Sequence, residues 1–246
     1  MKLCRRHILS LTALVALVAA LIATTSLSAV DRRLRTCEGV RVSFSEEPRF
    51  LSEAEIKSVL DKRCGAYLGQ RLDSLQLYRI ESVLNLQSAV QSSEAWTTDD
   101  GYLNVRITER VPVARFQNGD DGFYVDCDGV VFPLKDSYSA NVPVIDGNVP
   151  AGSDEESRKA WTQDALAMLR YMDSSGWADR IVQMHVDGDG DLVLVPREGD
   201  EKFIFGDPGD VKLKFSRMED YYRYIRPGEK KYTTVNVKYE RQIICK

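Results

Sequence analysis

Residues 103–116 read LNVRITERVPVARF, and this stretch decides how the rest of the fold is interpreted. Leu103, Val105 and Ile107 alternate with polar residues, which is the pattern of a strand with one buried face. The alternation stops before Pro112, and from there onward the pattern is mostly β. One α+β unit is therefore expected to end within this stretch and a second unit to begin there.

The residues before this stretch predict a strand, two helices and a further strand. Apolar and polar residues alternate over 40–44, which favours a strand. Ser52 and Glu55 have the spacing of a capping box, which opens a helix. A second helix is expected over 74–85 and a strand over 89–96. The order strand–helix–helix–strand–strand predicts a small α+β unit with both helices on one face of its sheet.

The residues after this stretch predict hairpins, two helices and a last strand. A hairpin is expected to turn at residues 128–129, and a second capping box at 153–156 opens a helix. Apolar residues at helical spacing predict a short helix ending near Ile225. Alternation of apolar and polar residues predicts a last strand over 232–245. Other strands are expected over 181–186, 192–195 and 202–205.

The N-terminal region contains a run of residues without charge, 8–30, preceded by three basic residues. As a helix this run is about 34 Å long at ~1.5 Å per residue, and a bilayer core needs about 20 apolar residues. We therefore predict a transmembrane helix over 8–30, a short cytoplasmic tail over 1–7 and the remainder outside the cytoplasm. A cleaved signal peptide also fits, because the small residues 26–29 resemble a cleavage site.

Composition argues against two classes of protein. A formal net charge of -4 and a pI near 5.4 argue against a general nucleic-acid binder, which would carry a basic excess. The tyrosine-rich, basic stretch 221–232 is therefore interpreted as an amphipathic helix and one face of a strand. The five cysteines are not closely spaced, which excludes a disulfide-dense miniature and a zinc module. Pairing among Cys37, Cys64, Cys127 and Cys245 stays open.

Two features suggest chemistry, and each has a plainer structural interpretation. His185 with Cys127 or Cys64 would make a thiol nucleophile, but nothing in the spacing favours it. Residues 187–191 read DGDGD and match the first five positions of a calcium loop. Leu192 stands where that loop needs glycine, so a polar hairpin tip is favoured, while cation binding stays open. We therefore predict no catalytic residue, cofactor, metal site or small-molecule substrate.

Taken together, these strings resemble the FtsQ/DivIB family of bacterial cell-division proteins over nearly the whole chain. ERVPVA at 109–114 is similar to the family's E-x-x-P-x-A crossing between domains, and VDCDGVVF at 125–132 is similar to its V-D-x-x-G-x-x-F hairpin. The end of the chain looks like the family's closing strand. The resemblance implies a POTRA-like βααββ domain over 31–110 and a mostly antiparallel β domain with flanking helices over 111–246.

The resemblance also implies a non-enzymatic divisome scaffold in the inner membrane at the division septum. Such a protein recruits and positions FtsB-like and FtsL-like bitopic proteins for septal cell-wall synthesis. The implied contact is addition of a partner strand to the free edge of the last strand. Carried over residue by residue, the contact positions are Val237, Lys238, Tyr239, Arg241 and Gln242. Tyr239 is the expected hot spot, since tyrosine offers a large area and a polar tip.

Two other functions remain as alternatives. One is a POTRA-containing extracytoplasmic chaperone or transport accessory protein that binds polypeptides by strand addition. The other is a secreted thiol hydrolase that uses Cys127 and His185. Loss of an activity in Cys127→Ser would support the hydrolase.

Overall fold

The computed structural model describes residues 14, 16–19, 35–118, 121–149 and 155–246, with side chains for all of these except 118 and 155–160. Of the predicted membrane segment, 8–30, only Leu14 and residues 16–19 are described, and they are helical. The predicted tail over 1–7 and Ser153 of the second capping box lie outside the described residues. Within the described set, no helix has the length and apolar character needed to cross a bilayer.

The chain divides into two compact units, with the sequence boundary between Glu109 and Arg110. The strands and helices of the first unit are β1 (Gly39–Phe44), α1 (Glu53–Arg63), a 3₁₀ turn (Leu72–Ser74), α2 (Leu77–Asn85), β2 (Val90–Thr97) and β3 (Tyr102–Glu109). Its sheet has the order β1-β3-β2, with β1 parallel and β2 antiparallel to β3. The predicted strand–helix–helix–strand–strand order is therefore confirmed.

The capping box and the apolar face of α1 attach this helix to the sheet. The Ser52 hydroxyl accepts from the Glu55 N–H at 3.3 Å, and the Glu55 carboxylate accepts from the Ser52 N–H at 2.8 Å. Ile56 and Leu60 are fully buried on the same helical face. Gly65 follows the helix at φ 71°, a conformation that glycine adopts without strain. The first unit thus has its own core, whose sheet side is formed by the alternating apolar residues of β3.

Among the residues that the structure describes, the second unit has nine strands in one sheet, with helices in two of its connections. Its strands are β4 (Pro112–Asn118), β5 (Asp121–Asp126), β6 (Val131–Pro133), β7 (Val144–Gly147), β8 (Ile181–Val186), β9 (Leu192–Pro196), β10 (Lys202–Gly206), β11 (Thr234–Asn236) and β12 (Ile244–Cys245). Its helices are α3 (Glu155–Ser175), α4 (Val211–Asp220) and a π-helical turn (Tyr221–Ile225) that directly continues α4. The strand order is β12-β11-β10-β9-β8-β7-β4-β5-β6.

This sheet is mixed, although most of its neighbouring strands are antiparallel as predicted. Five pairs are antiparallel, and three pairs are parallel. Parallel neighbours need a crossover connection, usually a helix. Accordingly α3 connects β7 to β8, and α4 with its π-helical turn connects β10 to β11. Apolar side chains of α3, α4 and the sheet then share one core.

The ERVP and VDCDG strings each stabilise a local structure beside the junction. In the first unit, the Glu109 carboxylate accepts the N–H groups of Phe50 at 3.0 Å and Leu51 at 2.6 Å. In the second unit, the Arg110 guanidinium donates to the Asp126 carboxylate at 2.5 Å, and this pair is largely buried. The other carboxylate oxygen of Asp126 accepts the Val130 N–H at 2.8 Å and so shapes the β5–β6 hairpin. The adjacent residues Glu109 and Arg110 are therefore each tied to a different unit.

Candidate partner-docking site

The large sheet ends in an open edge at β12. Thr234 and Lys246 exchange both of their backbone hydrogen bonds, at 3.1 and 2.9 Å. In an antiparallel pair the adjacent residues point the other way, so Cys245 directs its N–H and C=O away from β11. No described strand pairs with that side of β12. This is the kind of edge to which an extended peptide adds as a further strand.

The prediction of one continuous strand over 232–245 is wrong. The chain is extended in β11 and again in β12, but residues 237–242 form a turn that reverses its direction. We call these residues the 237–242 turn. Because β12 then pairs with the outer side of β11, the free edge belongs to β12. The predicted contact residues Lys238, Tyr239, Arg241 and Gln242 lie in the turn, not along that edge.

A buried arginine of α4 explains why the strand ends after Asn236. Arg217 is 7% exposed, and its Nη1 donates to the Val237 carbonyl at 3.0 Å. Its Nη2 donates to the Glu240 carbonyl. Both carbonyls are satisfied by the guanidinium and do not need a strand partner. The Val237 side chain is 0% exposed and packs in the core, so this predicted contact residue cannot offer its side chain to a partner.

Lys238 connects the 237–242 turn to the hairpin between β8 and β9. Its Nζ donates to the Asp191 carboxylate at 2.6 Å, and this hydrogen bond raises the pKa of Lys238. Its backbone N–H donates to the Asn236 side chain at 3.1 Å. Gly206 lies directly beneath it, because a Cβ at position 206 would come within 2.8 Å of the Lys238 Cβ. The lysine is therefore fixed from two directions.

The DGDGD string forms the predicted polar tip of the β8–β9 hairpin. One Asp187 carboxylate oxygen accepts the N–H groups of Asp189 at 2.9 Å and Asp191 at 3.0 Å. The Asp191 carboxylate in turn accepts from Lys238. Among the residues the structure describes, no three His, Cys, Asp or Glu side chains are arranged to hold a metal ion. The Asp187 carboxylate thus shapes the hairpin tip, and the Asp191 carboxylate links the tip to Lys238.

The surface of the 237–242 turn combines an aromatic ring with polar and basic groups. The Tyr239 side chain is 44% exposed, and the Lys238 Nζ lies 5.8 Å from its ring centroid. Arg241 and Gln242 are exposed as well. Of the five predicted contact residues, these three present their side chains to solvent. A partially exposed tyrosine beside cations is typical of a protein-binding surface.

One of the two edge strands of the first unit, β2, is joined to α2 by hydrogen bonds. The Glu81 carboxylate of α2 accepts the backbone N–H of Ala95 in β2 at 2.8 Å. The Ser93 hydroxyl donates to the Glu81 carbonyl at 3.2 Å and to the Asn85 side chain at 2.9 Å. These bonds tie β2 to α2, and they occupy a backbone donor that an added strand would need.

The residues of the possible thiol nucleophile lie on different elements: Cys64 at the end of α1, Cys127 between β5 and β6, and His185 in β8. Cys64, Cys127 and Cys245 are free thiols, as is the buried Cys37. Burial raises the pKa of the Cys64 and Cys245 thiols, which disfavours the reactive thiolate. His185 Nδ1 lies 2.7 Å from an Asp146 carboxylate oxygen on the neighbouring strand, where the pair is partly exposed. Cys127 is exposed in the β5–β6 hairpin.

Sequence reasoning missed two residues of this site. Arg217 lies in a predicted helix, and only its burial below the 237–242 turn reveals a role. Asp191 was noticed as part of an acidic string, yet its partner Lys238 is 47 residues away. Neither pairing leaves a local signal in the sequence.

Comparison with protein families assigns both units. The model described as FtsQ/DivIB, C-terminal related matches residues 111–246, more than half of the chain. The model of the POTRA-like domain matches residues 35–108. A search of curated proteins gave no match.

Proposed function

This chain belongs to the FtsQ/DivIB family, whose members are non-enzymatic cell-division proteins, and we propose that it recruits and positions FtsB-like and FtsL-like proteins for septal cell-wall synthesis. We further propose that it is held in the inner membrane by residues 8–30, with its N-terminus in the cytoplasm. In this arrangement both described units lie outside the cytoplasm, where bitopic partners expose their own domains.

The observation that carries the proposal is the open edge of β12 beside the exposed 237–242 turn. Cys245 directs one backbone donor and one acceptor outward, and an added strand would use both. Tyr239, Arg241 and Gln242 lie within a few residues of that edge and supply side chains for specificity. Backbone pairing and side-chain selection are thus available in one part of the second unit.

The alternative of a POTRA-containing chaperone or transport accessory protein has weaker support. Strand addition to β2 would need the N–H of Ala95, which donates to Glu81 instead. Opening that edge would leave a carboxylate without its hydrogen bond, and such a loss costs about 1–3 kcal/mol. The proposal therefore places strand addition at β12, where Cys245 directs its N–H and C=O away from β11.

Binding of the FtsB-type protein from the same organism tests the docking site. Tyr239→Ala in the full chain should weaken this binding by about 2 kcal/mol, or roughly thirtyfold, because tyrosine hot spots lose about that much on truncation. Tyr78→Ala is the matched control, since Tyr78 is 82% exposed in the first unit. Equal affinity of the Tyr239→Ala chain and the parent chain would exclude the 237–242 turn as the contact.

Depletion of the protein from its native cell tests the division role itself. Filaments with blocked septa are expected, and re-expression of the parent chain should restore division. Re-expression of the Tyr239→Ala chain should restore it less well. Normal division after full depletion would contradict the proposed function.

A further inference from the structure

We propose that Asp191 and Arg217 are positioning residues for partner docking: they hold the 237–242 turn in one conformation, and Lys238 acts through Asp191 rather than by contacting the partner. This inference rests on the proposed function of the 237–242 turn. It assigns a role to the DGDGD string, and it changes the expected role of Lys238.

Arg217 fixes the turn from the core side. Two of its guanidinium nitrogens, Nη1 and Nη2, donate to the carbonyls of Val237 and Glu240, at the start and in the middle of the turn. The guanidinium is a planar fork, so two carbonyls bound to it are held at a fixed separation. Because Arg217 is 7% exposed, water does not readily replace either bond. The backbone around Tyr239 is thus bound on both sides of that residue.

Asp191 fixes the turn from the side of the β8–β9 hairpin. The Asp187 carboxylate accepts the Asp191 N–H at 3.0 Å, which places the Asp191 backbone at the hairpin tip. The Asp191 carboxylate then accepts from the Lys238 Nζ at 2.6 Å, with side-chain exposures of 22% for the aspartate and 34% for the lysine. This partial burial makes the bond less accessible to water and salt than a fully exposed pair.

Gly206 allows Lys238 to lie close to the sheet. This glycine has a φ of 82° at the end of β10, and a Cβ there would meet the Lys238 Cβ at 2.8 Å. The stem of Lys238 is therefore confined while its ammonium group is engaged by Asp191. A side chain restrained at both ends is poorly suited to form a new contact with a partner.

A turn that is ordered before binding lowers the cost of association. Fixing a flexible backbone costs conformational entropy, and a partner that binds a flexible turn must offset that cost. Because Arg217 and Asp191 order the turn during folding, partner binding no longer carries this entropic cost. Loss of the Asp191–Lys238 bond should therefore weaken docking even though neither carboxylate nor ammonium reaches the partner.

A charge exchange between the two side chains tests this inference in the full chain, with the FtsB-type protein of the same organism as the probe. Asp191→Lys and Lys238→Asp should each weaken binding about tenfold, since each places like charges together and frees the turn. The double variant restores an opposite pair and should bind within about twofold of the parent chain. Asp189→Asn is the matched control, because Asp189 contributes its backbone N–H to the tip.

Hydrogen exchange measures the order of the turn without a partner. The Lys238 amide, which donates to the Asn236 side chain, should exchange about tenfold faster in Asp191→Ala, while the amides of β8 and β9 keep their rates. Arg217→Lys keeps the charge but reaches one carbonyl at most, and it should have the same effect. If Arg217→Lys lowers the thermal stability of the whole unit, Asp191→Ala carries the test instead.

The outcomes separate this inference from the proposed function. The positioning role would be overturned if Tyr239→Ala weakened binding while both Asp191 variants bound the partner and exchanged their amides like the parent chain. The docking site would then still stand. A charge-exchanged double variant that stays as weak as Lys238→Asp would show that Lys238 itself contacts the partner. No loss of binding in Tyr239→Ala would remove the docking site and the positioning role together.

Discussion

The edge strands β2 and β12 differ in how their outward backbone groups are used. In the first unit, a carboxylate from α2 accepts the N–H of Ala95 in β2. In the second unit, Cys245 of β12 directs its N–H and C=O away from the sheet. Unpaired edges invite association, and proteins usually cover them. This difference between β2 and β12 is the structural basis of the proposed docking at β12.

Of the variants that test this comparison, one that removes the outward N–H of β12 should have the largest effect on partner binding. Cys245→Pro deletes one N–H that points away from β11, where proline is tolerated in an edge strand. We expect partner binding to weaken by at least ~2 kcal/mol, because the partner carbonyl is left unpaired and the ring approaches it. Calorimetry with the FtsB-type protein measures this loss.

Cys245→Ala is the control for that experiment, since it keeps the N–H and removes only the thiol. Its affinity should stay close to that of the parent chain. Full binding by Cys245→Pro would mean that the partner does not add a strand to β12, and the two edges would then be equivalent in function.

Removing the Glu81 carboxylate from the edge strand β2 should have an intermediate effect, on the stability of the first unit. Glu81→Ala leaves the Ala95 N–H without its acceptor, so the first unit should lose about 1–2 kcal/mol of unfolding free energy. Exchange of the Ala95 amide should become faster. Glu81→Gln retains a carbonyl acceptor and should lose less. Unchanged exchange at Ala95 in Glu81→Ala would show that the carboxylate does not close this edge.

The smallest expected effect is on the stability of the second unit at alkaline pH. Burial, with a further contribution from the Glu201 carboxylate, raises the pKa of Tyr222 from 10.0 to about 12. The fold therefore favours the neutral phenol, and this stabilisation is complete below pH 10 and is lost as the pH rises toward 12. Tyr222→Phe should reduce the alkaline loss of stability in the second unit.

The first unit provides the control for this titration. Tyr67 lies in its core, where burial and the hydrogen bond to Asp61 raise the tyrosine pKa. Alkaline unfolding of the first unit should therefore be the same with and without Tyr222→Phe, as followed by amide exchange across the pH range. A change in the first unit would contradict the independence of the two cores.

The first unit could be predicted closely because its signals are local. The capping box at Ser52 and Glu55 needs four consecutive residues, and the alternation at Leu103, Val105 and Ile107 needs five. Both are properties of a short segment, and the structure confirms both. The closed edge was not predicted, since the bond from Ala95 to Glu81 joins two elements that only the fold brings together.

The end of the second unit was mispredicted for the same physical reason. Val235 and Val237 are both buried and Tyr239 is exposed, so the alternation in the sequence gives no sign of a turn. The strand ends where Arg217 binds the Val237 carbonyl, and a guanidinium 20 residues away is not part of any local pattern. The parallel pairing of β4 with β7 was likewise beyond prediction, because it depends on which strands become neighbours.

The brevity of β12 has a consequence for the lifetime of a complex. A strand of two residues offers one outward N–H and one outward C=O at Cys245, and each neutral hydrogen bond contributes only about 1 kcal/mol net. Backbone pairing alone would thus give rapid dissociation, and residence time would depend on side chains such as Tyr239. The same brevity gives two copies of the chain little to gain from edge-to-edge pairing. A short edge therefore favours reversible exchange of partners, which suits an assembly that forms and disbands in every division cycle.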